Sequence, residues 1–330
     1  MKRVLTGIKP TGYVHLGNYF GAIKPSVELS RNSEFECYYF IADYHALTTQ
    51  KEKEKFKEYT KNLACAWLAC GLDPNRVVFY KQSDVKEVFE LNWILSNFTP
   101  KGLMNRAHAY KALVEKNMQA GQDADNNVNM GLYNYPILMA ADILLIGSNY
   151  VPVGVDQKQH IEIARDIATH FNQTYNKKVF VLPEELIQKE VALLVGLDGR
   201  KMSKSYDNTI TLFGTEKELQ KSINRIVTDS KMPGEPKDLD CTLNKIYKLF
   251  ATESQQKEFD QKLLSGLSWG EAKKELFELA NNYIKPMREK FDYYMSHYDE
   301  VEKLLKQSAE KARQVAQKYL SEVRKVIGVE

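Results

Sequence analysis

The 330-residue chain is poor in cysteine: four, at 37, 65, 70 and 241, with no CxxC pair. That excludes the common structural zinc patterns and gives no disulfide framework. Cys65 and Cys70 lie in a stretch rich in Ala, Leu and Trp and read as core residues. The expectation is a cytoplasmic protein without disulfides. Long hydrophobic runs are missing too. The longest, around 136–147, is interrupted by Asp142 and is too short to span a bilayer, so no membrane association is expected. The first residues, Met1-Lys2-Arg3-Val4-Leu5, run straight into a strand-like segment and lack a signal-peptide core. Charge of one sign is scarce: 46 Lys and Arg oppose 43 Asp and Glu, a net of +3. Such a balance does not by itself argue for nucleic-acid binding. There is no P-loop, no GxGxxG, no internal repeat and no low-complexity tract. No carboxylate cluster suggests a dedicated metal cage, so no protein-bound metal is expected.

What remains is ordinary globular composition, 43% hydrophobic, in a clear order of segments. Residues 3–6, 36–42 and 76–81 read as strands, and 178–182 as a later one. Val151, Val153 and Val155 alternate as a short buried strand. Helical patterns start near Gly17 and cover 52–70, 84–98 and 156–171, and Pro136 is expected to open an apolar helix. Strands alternating with helices argue for a Rossmann-like, doubly wound parallel sheet. Residues 114–130 are polar and turn-rich and read as a mobile part of an insertion around 101–145. After about 212 only helical patterns follow, four or five of them. The expected division is a catalytic domain over 1–210 and an all-helical domain over 211–330.

Two short motifs carry the chemistry. The first, Thr11 to Asn18, places His15 and Asn18 three residues apart where a Gly/Pro turn enters a helix. A helix start offers free N–H groups and a positive dipole end, and both side chains can donate to phosphate oxygens. Gly17 would let a base or ribose approach the backbone. A simple helix cap by Asn18, with His15 at the surface, fits the same residues. The second motif is Lys201-Met202-Ser203-Lys204-Ser205, flanked by Gly196 and Gly199. Lysines on a glycine-hinged loop can close over a polyphosphate. A third segment, 135–145, puts Tyr135, Met139 and Asp142 on one helix face. Asp142 is a lone carboxylate among apolar neighbours. Burying it costs several kcal/mol unless a donor meets it. That donor could be a ligand or a structural partner.

The two motifs, in this order, resemble the halves of a class I aminoacyl-tRNA synthetase active site. The string MAADIL at 139–144 and the run 151–160, VPVGVDQKQH, sharpen this to the bacterial tryptophanyl-tRNA synthetases. The resemblance implies tryptophan activation with ATP and transfer to tRNA(Trp). It implies that His15 and Asn18 steady the α-phosphate and that Lys201 and Lys204 hold the pyrophosphate. Lys9, Gly17, Gly154, Asp156, Met202 and Ser203 would then meet ATP, whose phosphates carry Mg2+. Asp142 would accept the indole N–H, which is a donor only. Leu5, Gly7, His45, Tyr135, Met139, Val151, Val153 and Gln157 would complete the tryptophan site. Asp156 could also cap the following helix. His160 is expected to be a packed or capping histidine.

Leu5 and Lys9 depart from the family, which often has an aromatic and a Gln at these places. Whether Lys111 or Lys116 adds a phosphate contact stays open. Lys311, Lys318 and Lys325, seven apart, form a basic stripe that suits tRNA or plain solvent. A homodimer is expected from the resemblance. Three rivals remain: the tyrosine-activating sister enzyme, a cofactor adenylyltransferase, and a catalytically idle RNA-binding paralogue.

Overall fold

The computed structural model describes residues 1–154, 157–187 and 194–330. Its centre is a five-stranded parallel sheet in the order β3-β2-β1-β4-β5. The strands are β1 (Lys2–Ile8), β2 (Phe35–Ile41), β3 (Val77–Lys81), β4 (Tyr150–Val153) and β5 (Glu184–Ile187). β2 shows why the sheet has this form. Its aromatic and apolar side chains are buried on both faces, as a parallel strand covered by helices requires. Cys37, Tyr39 and Ile41 point into one core, Tyr38 and Phe40 into the other.

Among the described residues fourteen α-helices surround the sheet. After β1 come α1 (Leu16–Asn18) and α2 (Lys24–Leu29), joined by a π-helical stretch, Tyr19–Ile23. α3 (Asp43–Ala46) and α4 (Lys53–Ala69) follow β2. The crossover from β3 to β4 holds α5 (Glu87–Ser96), α6 (Lys101–Met104), α7 (His108–Gln119) and α8 (Met130–Leu145). α9 (Lys158–Thr174) leads to β5. Then come α10 (Glu216–Asn224), α11 (Thr242–Tyr247), α12 (Glu253–Leu264), α13 (Trp269–Ser296) and α14 (Tyr298–Ile327). Among the described residues none of these is long and apolar enough to cross a membrane.

The first core joins α4, α10, α11 and α13 to one face of the sheet. The second joins α5, α8 and α9 to the other. α14 takes part in both. Val301 and Leu305 enter the first core, while Ala309, Ala312, Ala316, Leu320 and Val323 enter the second. At about 1.5 Å per residue its 30 residues span about 45 Å. On the way it covers edge strand β3, where the Phe79 N–H donates to Ser308 Oγ at 2.7 Å. An edge strand capped in this way offers no free ladder for another chain.

Three local expectations fail for physical reasons. Residues 178–182 are not a strand, and β5 begins at Glu184. Asn172 takes over their backbone: its Oδ1 accepts from the Val179 and Phe180 N–H groups, and its Nδ2 donates to Phe180 O. Pro136 does not open α8. Asn129 caps the helix by accepting from the Leu132 N–H at 2.9 Å, and Pro136 sits inside it. Finally, part of 114–130 is helix, since α7 runs to Gln119. Asn117 then ties the following loop by donating to Ala124 O and Asn126 O.

Candidate active site

In an open parallel sheet, ligands bind beyond the carboxyl ends of strands where the order reverses. Here the reversal lies between β1 and β4. A cavity of about 380 Å³ opens there. From β1 and its end come Leu5, Gly7 and Lys9, and from the β4 side Val151, Val153, Gly154 and Gln157. α8 supplies Tyr135, Met139 and Asp142, and α3 supplies His45. Gly7 is needed for shape. A Cβ there would lie 2.5 Å from the ring of Phe40, which also lines the cavity.

Asp142 is the most constrained group. It is 7% exposed, on α8 with Ala140, Ala141 and Ile143 buried around it. His45 Nε2 donates to its Oδ2 at 2.9 Å. Gln82 Nε2 donates to Oδ1 at 3.0 Å and to Oδ2 at 2.9 Å. Burial pushes the Asp142 carboxyl above the usual range, while the His45 and Gln82 contacts pull against that shift. The lone carboxylate therefore has structural partners already, and it still faces the cavity. Beside it the Tyr135 hydroxyl shares a hydrogen bond of 2.8 Å with buried His160 Nε2. Burial pushes the Tyr135 hydroxyl up to about 12. His160 is thus a packed histidine, as expected.

The two signature motifs meet although about 185 residues separate them. The Leu16 N–H donates to Ile210 O and the Leu212 N–H to Val14 O, each at 2.9 Å, around a bridge between His15 and Thr211. This ladder pins the segment after the lysine loop to the start of α1. His15 precedes α1, and its N–H donates to Asn18 Oδ1 at 3.2 Å, which leaves the Asn18 NH2 unused by the described residues. The His15 ring folds over Gly17, where a Cβ would lie 2.9 Å from Nδ1, and Met202 Sδ would lie 3.5 Å from that Cβ. Burial, with the Lys204 charge as a second cause, lowers the His15 pKa to about 4. The ring is neutral at pH 7, and its Nδ1 is buried without a partner among the described residues. Buried polar atoms are rarely left so.

Lys204 reaches back over the same turn. Its Nζ would lie 2.8 Å from a Cβ on Gly12. Lys204 as a residue is exposed, yet partial burial against this turn lowers its pKa to about 8. Burial also lowers the Lys9 pKa. Neither Lys201 nor Lys204 is in an ion pair among the described residues. Asn208, 2% exposed, braces the loop: Nδ2 donates to Asp198 Oδ1 and Lys201 O, and Oδ1 accepts from the Ser203 N–H. Gly196, expected as a hinge, instead makes room for Asn208. Gly199 keeps the left-handed φ of +80° that a turn demands.

A parallel sheet with a cavity at its switch point, next to two tethered phosphate-type motifs, matches one known family. The family described as tRNA synthetases class I (W and Y) matches residues 1–285. This chain belongs to that family. It is 52% identical to the tryptophan–tRNA ligase of Neisseria meningitidis, over 99% of this chain and 98% of that one. It is 50% identical to the tryptophan–tRNA ligase of Pseudomonas aeruginosa, over 99% of this chain and 74% of that one. Tryptophanyl-tRNA synthetase from Campylobacter jejuni, complexed with ADP and tryptophan, superposes with a TM-score of 0.90 at 47% identity over 99% of both chains. A tyrosyl-tRNA synthetase from Archaeoglobus fulgidus shares the fold at 20% identity and a TM-score of 0.63.

Among the residues singled out from the sequence of this class I synthetase, Val155 and Asp156 lie outside the described residues. Lys111 and Lys116 are exposed on α7, and Lys111 lies 3.7 Å from Glu115. Sequence reasoning missed Gln82, Phe40 and Asn208. Gln82 and Asn208 had one available signal, a polar residue just past a strand or motif. Among the described residues no group of three His, Cys, Asp or Glu is placed to hold a metal ion.

Proposed function

We infer that this synthetase activates L-tryptophan with ATP and transfers it to the terminal ribose of tRNA(Trp). The observation that carries this reading is Asp142, a buried acceptor at the wall of the 380 Å³ cavity next to the tethered motifs. Indole is a donor only. A site built on a buried acceptor rejects side chains that cannot satisfy it by as much as 10⁴–10⁵-fold. Met139, Val151 and Val153 form apolar walls, Leu5 closes the floor, and Tyr135 and Gln157 receive the ammonium. The tryptophan–tRNA ligases at 50–52% identity support the same substrate, while the tyrosine enzyme shares only the fold.

The attacking carboxylate of tryptophan is ionised at neutral pH, so the first step needs no general base. Catalysis is then positioning and charge stabilisation. Neutral His15 and the Asn18 NH2 donate to the α-phosphoryl oxygens. Lys201 and Lys204 draw off the charge that builds on pyrophosphate. Met202 and Gly17 border the adenosine, with Ser203, Lys9, Gly154 and Asp156 nearby. Magnesium rides on the phosphates, whose oxygens suit a hard cation.

The helical part, from about 211 to 330, reads the tRNA. Its support is the exposed stripe of Lys311, Lys318 and Lys325 on α14. The chain forms a homodimer. Tyr44 on α3, Leu47 just after it and Met130 at the start of α8 expose apolar surface around one groove, and Trp93 on α5 is 70% exposed. Large exposed apolar patches mark association sites.

ATP–pyrophosphate exchange without tRNA, run against all twenty amino acids, tests the activation reading. Exchange with tryptophan alone is expected. Exchange with tyrosine would overturn the role of Asp142, and none at all, from folded protein with magnesium, would favour the idle paralogue.

A further inference from the structure

We propose that Gln82 is a positioning residue for tryptophan selection, aiming the Asp142 carboxylate at the indole N–H without touching the substrate. The inference rests on the tryptophan reading above. Gln82 opens the 3₁₀ turn Gln82–Asp84 that ends β3, and it is 1% exposed. Its Oε1 accepts from the His45 backbone N–H at 3.3 Å. That contact fixes the amide so that Nε2 faces Asp142, where it donates to both carboxylate oxygens. One side chain thereby ties α3 to α8 and braces two cavity residues.

Gln82 stands behind Asp142, away from the cavity. With Tyr80, Val85, Val88, Leu145 and Ile146 it surrounds a void of only about 10 Å³. Asp142 lines both the void and the cavity. A void of that size is at the lower limit for one water, so solvent is a poor substitute for the amide. No Lys or Arg pairs with Asp142 among the described residues, so a neutral amide and one imidazole must balance a buried carboxylate. The two oxygens are also unequal. Oδ2 accepts from both His45 and Gln82, whereas Oδ1 accepts from Gln82 alone. By donor count Oδ1 is the oxygen left for a substrate donor. Without Gln82 the carboxylate keeps only His45 and is free to turn.

The test is Gln82→Met, which fills similar space and removes the donor. Exchange kinetics are measured with tryptophan and with the analogue whose indole N–H is replaced by sulfur. For tryptophan, kcat/KM should fall about 10–100-fold, the range for losing a hydrogen bond to a charged group. KM for ATP should stay within about twofold, and the analogue should lose little, because it never engages Asp142. Equal losses for both substrates, or no loss for tryptophan, would overturn the inference. Gln82→Leu is read in the same way if the methionine variant does not fold. A tryptophan co-crystal of the unaltered protein is independent of either variant. It should keep both Gln82 contacts and place the indole nitrogen on Oδ1; a released amide would overturn the proposal. If the unaltered protein ignores tryptophan, the substrate reading fails first and this inference with it.

Discussion

The two ends of the site are built on opposite plans. At the amino-acid end the key group is hydrogen-bonded in advance: Asp142 already accepts from His45 and Gln82. At the phosphate end the key groups stand unpaired. His15 Nδ1 is buried without a partner among the described residues, and the Lys204 ammonium is held where its charge is disfavoured. The first arrangement fits a selector, which must hold one geometry before any ligand arrives. The second fits a charge sink, whose donors gain most when a polyphosphate supplies what they lack. The two halves of the phosphate end are held together by the backbone ladder between Val14–Leu16 and Ile210–Leu212.

Cutting into each end should break the contrast in opposite ways. Lys204→Ala should slow adenylate formation the most, about 10²–10³-fold, the cost of removing one preorganised donor. Tryptophan binding, measured by calorimetry without ATP, should barely change. An unchanged single-turnover rate would remove the leaving-group role. Asp142→Ala should act on the other axis. Its kcat/KM for tryptophan should drop about 10²-fold, because a buried charged acceptor is lost and two donors are stranded. Its KM for ATP should hold, and comparable damage to both substrates would sink the division of labour.

A smaller effect follows from pH. Burial disfavours the Lys204 ammonium and brings its pKa to about 8 in the free protein. The charged form is therefore lost as pH rises through that value. kcat/KM for ATP reports the free enzyme, so it should decline above pH 8, by about tenfold per unit at the limit. Lys204→Arg keeps its charge throughout this range and should abolish the limb, whatever it does to the absolute rate. The same limb in the arginine variant would assign the titration elsewhere.

The amino-acid end and the phosphate end were not equally legible in the sequence. Strands β1 to β3 were found within a residue or two, because aromatic and β-branched runs between turns leave a strong pattern. Of the named tryptophan residues, those in the described segments all line one cavity, since α8 carries three of them at helical spacing. Their braces carried only a weak signal, a polar residue just past a strand or motif. Gln82 matters because β3 ends opposite α8, and Asn208 because the lysine loop folds back onto it; both are facts of tertiary contact. The misplaced strand at 178–182 has the same origin. Asn172, on another element, satisfies a backbone that local pattern assigns to the sheet.

The contrast also marks a region where chemistry should not change. Glu87 on α5 accepts from Arg313 Nε at 3.0 Å and from Gln317 Nε2 at 2.9 Å, both on α14. Burial opposes its charge, yet these contacts hold its pKa below the usual glutamate range. Glu87→Ala removes the acceptor and leaves Arg313 with Glu310 alone. It should cost about 1.5–3 kcal/mol in urea unfolding at pH 7, as for a hydrogen bond to a charged group. Both kinetic ends should stay as they were. A depressed carboxyl contributes stability that is present above its unfolded pKa, about 4.3, and is lost as pH falls through the folded value. The gap between the two proteins should therefore narrow on acidification below about pH 4. A gap that stays constant with pH would mean that α14 is held to α5 by packing of Ala312, Ala316 and Leu320 rather than by Glu87.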